Sequence, residues 1–248
     1  MRSLATLLLL CGVTLHCAAA DVQVAVAANM AAPMQKLAAD FARATGHRAV
    51  LVPGSTGKFY AQIRNGAPFE VLLAADDETP LRLEREGLAV AGSRFTYAIG
   101  RLALWSATEG VVDAQGDVLR RPPRGRLAIA DPRVAPYGAA AMETLTQLGL
   151  LATWQPQLVQ GESIGQAFQF AASGNASLGF VALSQVMVDG RVTRGSAWVV
   201  PEHLHQPLRQ DAVVLGPGQA NPAAAALLAY LRTGAARATL RSYGYATP

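Results

Sequence analysis

The sequence predicts an α/β protein built as two lobes around a hinge. Three observations carry that prediction. Strands and helices alternate from Val22 onward, the alternation falls into two blocks, and two long extended stretches lie where the chain would cross between the blocks. With 248 residues and 51% hydrophobic content, the chain is large enough for one big core or two modest ones.

In the first block residues 22–28 read as a buried strand. Pro33 punctuates a helix entry, and residues 34–44 carry apolar side chains at helical spacing until Gly46 stops them. A strand over 49–52, a helix over 59–64 and a strand over 69–75 follow. A helix over 79–86 then ends at Gly87. The second block has strands over 102–105, 127–130 and 178–182, with helices over 138–147 and 164–172. Residues 95–101 are extended and link the blocks. Residues 211–215 lead back to a final helix over 222–232 and a tail that passes Tyr245. The expected division is a first lobe over 21–98, a second over 99–210, and a return to the first over 211–248. Residues 111–124, with Gly116, Pro122 and Pro123, have the composition of a surface excursion.

Residues 1–20 read as a signal peptide: Arg2, an apolar run, and Ala18-Ala19-Ala20 before Asp21. The protein is therefore expected to be exported, to the periplasm, with cleavage near Ala20. A lipid anchor at Cys17 is the competing reading, disfavoured by His16 where a small residue is expected. Both cysteines, Cys11 and Cys17, fall in this leader, so the mature chain would rely on its core and not on disulfides. The chain has 21 Lys and Arg against 17 Asp and Glu, and loss of Arg2 lowers the net charge from +4 to +3. That dispersed excess offers no basic face, which argues against nucleic-acid binding.

The most informative segment is Gly54-Ser55-Thr56-Gly57-Lys58, between a strand and a helix. Its free backbone N–H groups and positive helix end make a seat for an oxyanion, although the same turn is also a plain helix cap. A nucleotide P-loop needs four residues between its glycines and a hydroxyl after the lysine; here there are Ser55 and Thr56, and then Phe59. Lys58 is expected to be solvated. Three other helix starts follow strands: Asn29, the run from Asp131 to Gly138, and Ser163, which forms a capping-box pattern with Gln166. Ligands gather at that edge of open α/β sheets.

Catalytic and metal-binding readings fare poorly. Asp76-Asp77-Glu78 is better read as a cap for the next helix than as a metal cluster. His203 and His205 lack further ligands nearby in sequence, and no Gly-x-Ser-x-Gly elbow is present. Trp105, Trp154 and Trp198 read as packing residues. No enzyme activity and no cofactor are expected; an exported α/β hydrolase or phosphatase is the alternative from another class.

Taken together, Ala27-Ala28-Asn29, Gly54-Ser55-Thr56-Gly57, Tyr60-Ala61-Gln62-Ile63, Asn65-Gly66-Ala67-Pro68, Ala74-Ala75-Asp76, Asp131-Pro132 through Tyr137-Gly138, and Gly179-Phe180-Val181 resemble, in order and spacing, the periplasmic molybdate-binding proteins of ABC importers. The resemblance covers nearly all of the mature chain. It implies a type II periplasmic-binding fold that closes around molybdate or tungstate and delivers the anion, as a monomer, to a membrane permease and its ATPase. Sulfate or phosphate is the alternative cargo. Carried over by position, it implies an oxyanion site of Asn29, Ser55 and Thr56 from the first lobe, with Tyr137 and the backbone N–H of Ile164 from the second. The chain departs from the family in having Thr56 where serine is frequent. It also has Ala182 where some members carry a tyrosine, a contact that Tyr137 would replace.

Overall fold

A computed structural model describes residues 19–248. The expected leader lies outside the described residues except for Ala19 and Ala20. In chain order the elements are β1 (Asp21–Ala27), α1 (Ala31–Thr45), β2 (Arg48–Gly54), α2 (Thr56–Arg64), β3 (Val71–Leu73), α3 (Glu78–Arg85) and β4 (Phe95–Gly100). Next come β5 (Leu102–Ser106), β6 (Leu127–Ala130), α4 (Pro136–Gln147), α5 (Leu151–Trp154), β7 (Leu158–Gly161), α6 (Ile164–Ala172) and β8 (Leu178–Ala182). A small hairpin of β9 (Met187–Val188) and β10 (Arg191–Val192) precedes β11 (Ser196–Val199), β12 (Leu208–Val214), α7 (Pro222–Leu231) and α8 (Gly234–Ser242).

Two five-stranded sheets result, ordered β2-β1-β3-β12-β4 and β11-β5-β8-β6-β7. In each, a parallel core of three strands (β1, β2, β3 and β6, β7, β8) is completed by antiparallel strands. The chain leaves the first sheet at Gly100 and enters the second at Leu102, and it returns between β11 and β12.

Burial explains why these segments became elements. β1 is covered on both faces: Val22, Val24 and Val26 pack with α1, α7 and α8, while Ala25 faces α2 and α3. In α1, Met34, Leu37 and Phe41 recur at the spacing that keeps one helix face inward. The helix begins three residues before the expected 34, because Pro33 is tolerated in a first turn where no N–H partner is required. Gly46, at φ 77°, closes it in the left-handed conformation and donates its N–H to Ala42 O at 2.9 Å.

The excursion over 111–124 is better anchored than its composition suggests. Val112 and Leu119 are buried, Trp154 Nε1 donates to Leu119 O at 2.9 Å, and the ring of Trp198 occupies the space beside Gly116. All three tryptophans are buried packing residues, as expected. The tail past residue 232 is not a simple tail. It forms α8, capped by Thr233 Oγ1 accepting from Ala236 N, and its Ala236 and Leu240 enter the first-lobe core. Among the described residues no helix is long and apolar enough to cross a membrane.

Candidate functional site

Four strand-to-helix junctions meet between the sheets. The turn after β1 brings Asn29, the start of α2 brings Ser55 and Thr56, the start of α4 brings Tyr137, and the start of α6 brings Ile164. Together with Ala27, Ala28, Gly54, Ala75, Ala135 and Pro136, these residues line one cavity of about 210 Å³ of empty space. No lining residue is charged. Only about 10 Å³ of the cavity is open to the centre of a water-sized group, so the closed cavity has room for a small ion and not for an organic ligand.

Local chemistry places each group. Pro136 opens α4 and puts Tyr137 in its first turn, while Gly138 lets the helix approach β6: a Cβ there would lie 2.3 Å from Ala130 O. Ser163 caps α6 by accepting from Gln166 N at 3.3 Å, which leaves Ile164 as the first helical residue. The expected capping box is only half formed, because Gln166 Oε1 accepts from Glu162 N at 2.6 Å. First-turn N–H groups have no partner within their own helix.

Thr56 Oγ1 accepts from Ala75 N at 2.9 Å, so its own proton is free for another acceptor. Ser55, at the cap position of α2, makes no capping bond, and its Oγ is buried without a protein partner. Asn29 lies inside a short 3₁₀ turn and does not cap it. Its side chain is committed elsewhere, with Nδ2 donating to Gln210 Oε1 and to Tyr245 Oη, both at 2.9 Å. Its Oδ1 is left buried without a partner, and what Asn29 can offer the cavity is its backbone N–H. Tyr137 Oη accepts from Gln210 Nε2 at 3.0 Å. Burial holds the Tyr137 hydroxyl protonated, well above the usual phenol range.

A polar network behind the cavity escaped the sequence reading. A ring of bonds runs from Asn29 Nδ2 to Tyr245 Oη, on to Ser184 Oγ at 2.9 Å, and back to Asn29 O at 2.8 Å. It ties the C-terminal tail and the first lobe to the turn after β8. Isolated polar residues at 184, 210 and 245 carry no local signal; the return of the C-terminal segment to the first lobe was the sole hint.

Further contacts hold the lobes shut. Gly57 N donates to Val134 O at 2.9 Å, and a Cβ on Gly57 would lie 2.9 Å from Val134 Cα. Lys58 pairs with Glu162 across the gap at 2.6 Å, so its charge is engaged outside the cavity. A broad cleft bordered by Asp76, Arg133, Glu143 and Arg209 shares Ala75, Ala135 and Pro136 with the cavity and lies outside that wall. Asp76 receives Thr79 N at 2.8 Å and serves as a cap for α3. Ala182, buried at the end of β8, does not line the cavity. Among the described residues no three His, Cys, Asp or Glu side chains are placed to hold a metal ion.

Two hinged α/β lobes closed over an uncharged cavity of helix starts define a solute-binding protein. The profile of bacterial extracellular solute-binding proteins matches residues 22–246. Molybdate-binding protein ModA of Azotobacter vinelandii is 58% identical over 93% of this chain and 92% of its own length. That of Rhodobacter capsulatus is 49% identical over 100% and 97%. The solved periplasmic molybdate-binding protein of Azotobacter vinelandii superposes with a TM-score of 0.87 at 42% identity, covering 92% of this chain and 99% of that one. The chain belongs to the bacterial extracellular solute-binding proteins and, among them, to the molybdate-binding family.

Proposed function

We propose that this protein captures molybdate, and the similarly shaped tungstate, in the periplasm and hands it to the permease and ATPase of an ABC importer. The observation that carries the reading is the cavity itself: hydroxyls and first-turn N–H groups from both lobes surround it, and no carboxylate lines it. Ser55 Oγ, Thr56 Oγ1 and Tyr137 Oη are the side-chain donors, and the backbone N–H groups of Asn29 and Ile164 complete the set. Neutral, preorganised donors suit a fully deprotonated dianion. A protonated oxyanion would bring a hydrogen to a site whose exposed groups donate, and it would lose a bond there. A smaller oxyanion would leave a cage sized for longer metal–oxygen bonds under-coordinated.

The mechanism is closure. The open form takes the anion on one lobe, and donors of the other stabilise the shut form, whose surface the permease reads. The protein acts as a monomer and a binder, with molybdenum held solely as its oxyanion. Calorimetric titration of the mature protein with molybdate, tungstate, sulfate and phosphate tests the reading. Tight binding of the first two with silence for the others is expected, and absence of molybdate binding sinks it.

A further inference from the structure

Behind the cavity, Gln210 on β12 is fully buried and touches residues of both lobes. We infer that Gln210 is a positioning residue for the anion site, acting through Tyr137: its amide fills a Tyr137 lone pair and so leaves that hydroxyl's proton to the anion. The inference rests on the oxyanion reading above.

The two ends of the Gln210 amide are distinguished by what surrounds them. Oε1 receives Asn29 Nδ2 at 2.9 Å and has Tyr97 Oη at 3.2 Å; Tyr97 Oη also reaches Ala74 O at 3.0 Å. Tyr97 has a single proton and the nearer Ala74 O can only accept, so the Asn29 N–H is the donor that fixes Oε1; the end facing Tyr137 is then the N–H end, and Nε2 donates to Tyr137 Oη at 3.0 Å. A hydroxyl has one proton and two lone pairs. Tyr245 Oη is the neighbouring hydroxyl that can take the Tyr137 proton in the anion-free protein, and with a Tyr137 lone pair filled by Gln210 the O–H can swing from Tyr245 to an incoming dianion without breaking the bond to Gln210.

The backbone is shaped to admit this arrangement. The β12–β4 register shifts between Gln210 and Asp211, with Gln210 opposite Ala98 and Asp211 opposite Thr96, so Tyr97 is the extra residue. Such bulges re-aim side chains beside functional sites. Gly100 leaves the necessary room, since a Cβ there would lie 2.1 Å from Tyr137 Oη and 2.5 Å from Gln210 Nε2. A buried amide with both ends bonded is costly to replace by anything but its own shape.

Isothermal titration with molybdate on a double-mutant cycle tests the inference. Gln210→Met should weaken binding about 5- to 10-fold, the worth of one well-made hydrogen bond, and should cost nothing further in the Tyr137→Phe background. Gln210→Glu, nearly the same shape, should bind poorly at neutral pH, where a carboxylate claims the Tyr137 proton. It should recover part of its affinity as pH falls and the buried carboxyl is protonated. Equal losses from Gln210→Met in both backgrounds, or no loss in either, overturn the inference. If Gln210→Met does not fold, a Gln210→Glu affinity no more pH-dependent than wild type overturns it. Failure of the wild-type protein to bind molybdate is a separate result and overturns the functional reading.

Discussion

In the proposed site, Thr56 has one hydroxyl that serves the fold and is left to serve the ligand. Its oxygen satisfies the N–H of Ala75, and its proton remains for the cavity. Thr56→Val should therefore have two effects. Molybdate affinity falls by about 1–3 kcal/mol from the lost donor, and the anion-free protein melts earlier because a buried N–H loses its acceptor. Thr56→Ser restores both. Titration and thermal melts on the two variants check this, and unchanged affinity in Thr56→Val removes the residue from the site. Neighbouring Ser55 differs in having no protein partner for its hydroxyl, so it keeps the freedom to turn towards a ligand. Asn29 was legible as a helix-start residue, but the partners of its amide were not: Gln210 and Tyr245 lie far along the chain.

Element ends carry most of the functional groups, and their chemistry is local. The cap of α3 is an example with a pH signature. Burial, the largest influence, pushes the Asp76 carboxyl from 3.8 up to about 6, against two hydrogen bonds from Thr79, with the charges of Asp77 and Glu78 adding to the rise. A carboxyl raised in the folded state binds its proton more tightly there than in the unfolded chain. Its contribution to stability is fully present below pH 3.8 and is lost as pH rises through about 6. The size is about 3 kcal/mol at most. Urea unfolding of wild type and Asp76→Asn between pH 4 and 7 should show the variant gaining relative stability across that window, and parallel curves would refute the assignment. The capping role was readable from three acids after a strand; the raised titration was not, because it depends on what covers Asp76. Likewise β7 and β11 were missed, being four residues each, and α8 was passed over as tail although its apolar face is well marked, while the strand over 127–130 and the helix over 164–172 matched β6 and α6.

For the whole molecule, closure is the variable on which the proposed function turns. Gly57 and Val134 meet backbone to backbone, Lys58 meets Glu162, and Tyr245 links Asn29 to Ser184. Adding bulk at Gly57 should wedge the lobes apart without removing any donor side chain. Gly57→Val is expected to raise the radius of gyration of the molybdate-saturated protein in solution scattering and to weaken binding at least about tenfold, since the second-lobe donors no longer reach. A variant with wild-type dimensions and affinity would show that this contact does not limit closure.

The amino-acid sequence by itself determined the α/β alternation, the two blocks and the helix starts that face one edge, because each depends on contacts within a few residues: hydrophobic period, turn glycines, proline and caps. Which residues of those helix starts to single out came from the resemblance to the molybdate-binding family and not from local rules, and the structure places Asn29, Ser55, Thr56, Tyr137 and Ile164 around one cavity. Only the tertiary structure decided which polar atoms are bonded within the protein and which are left without a protein partner. Gln210, Ser184 and Tyr245 reach Asn29 from 181, 155 and 216 positions away, and the bulge that turns Tyr97 towards Gln210 exists only in the paired sheet. A proton's direction on a buried hydroxyl is set by whichever partners surround it, and these partners meet only once both lobes are folded.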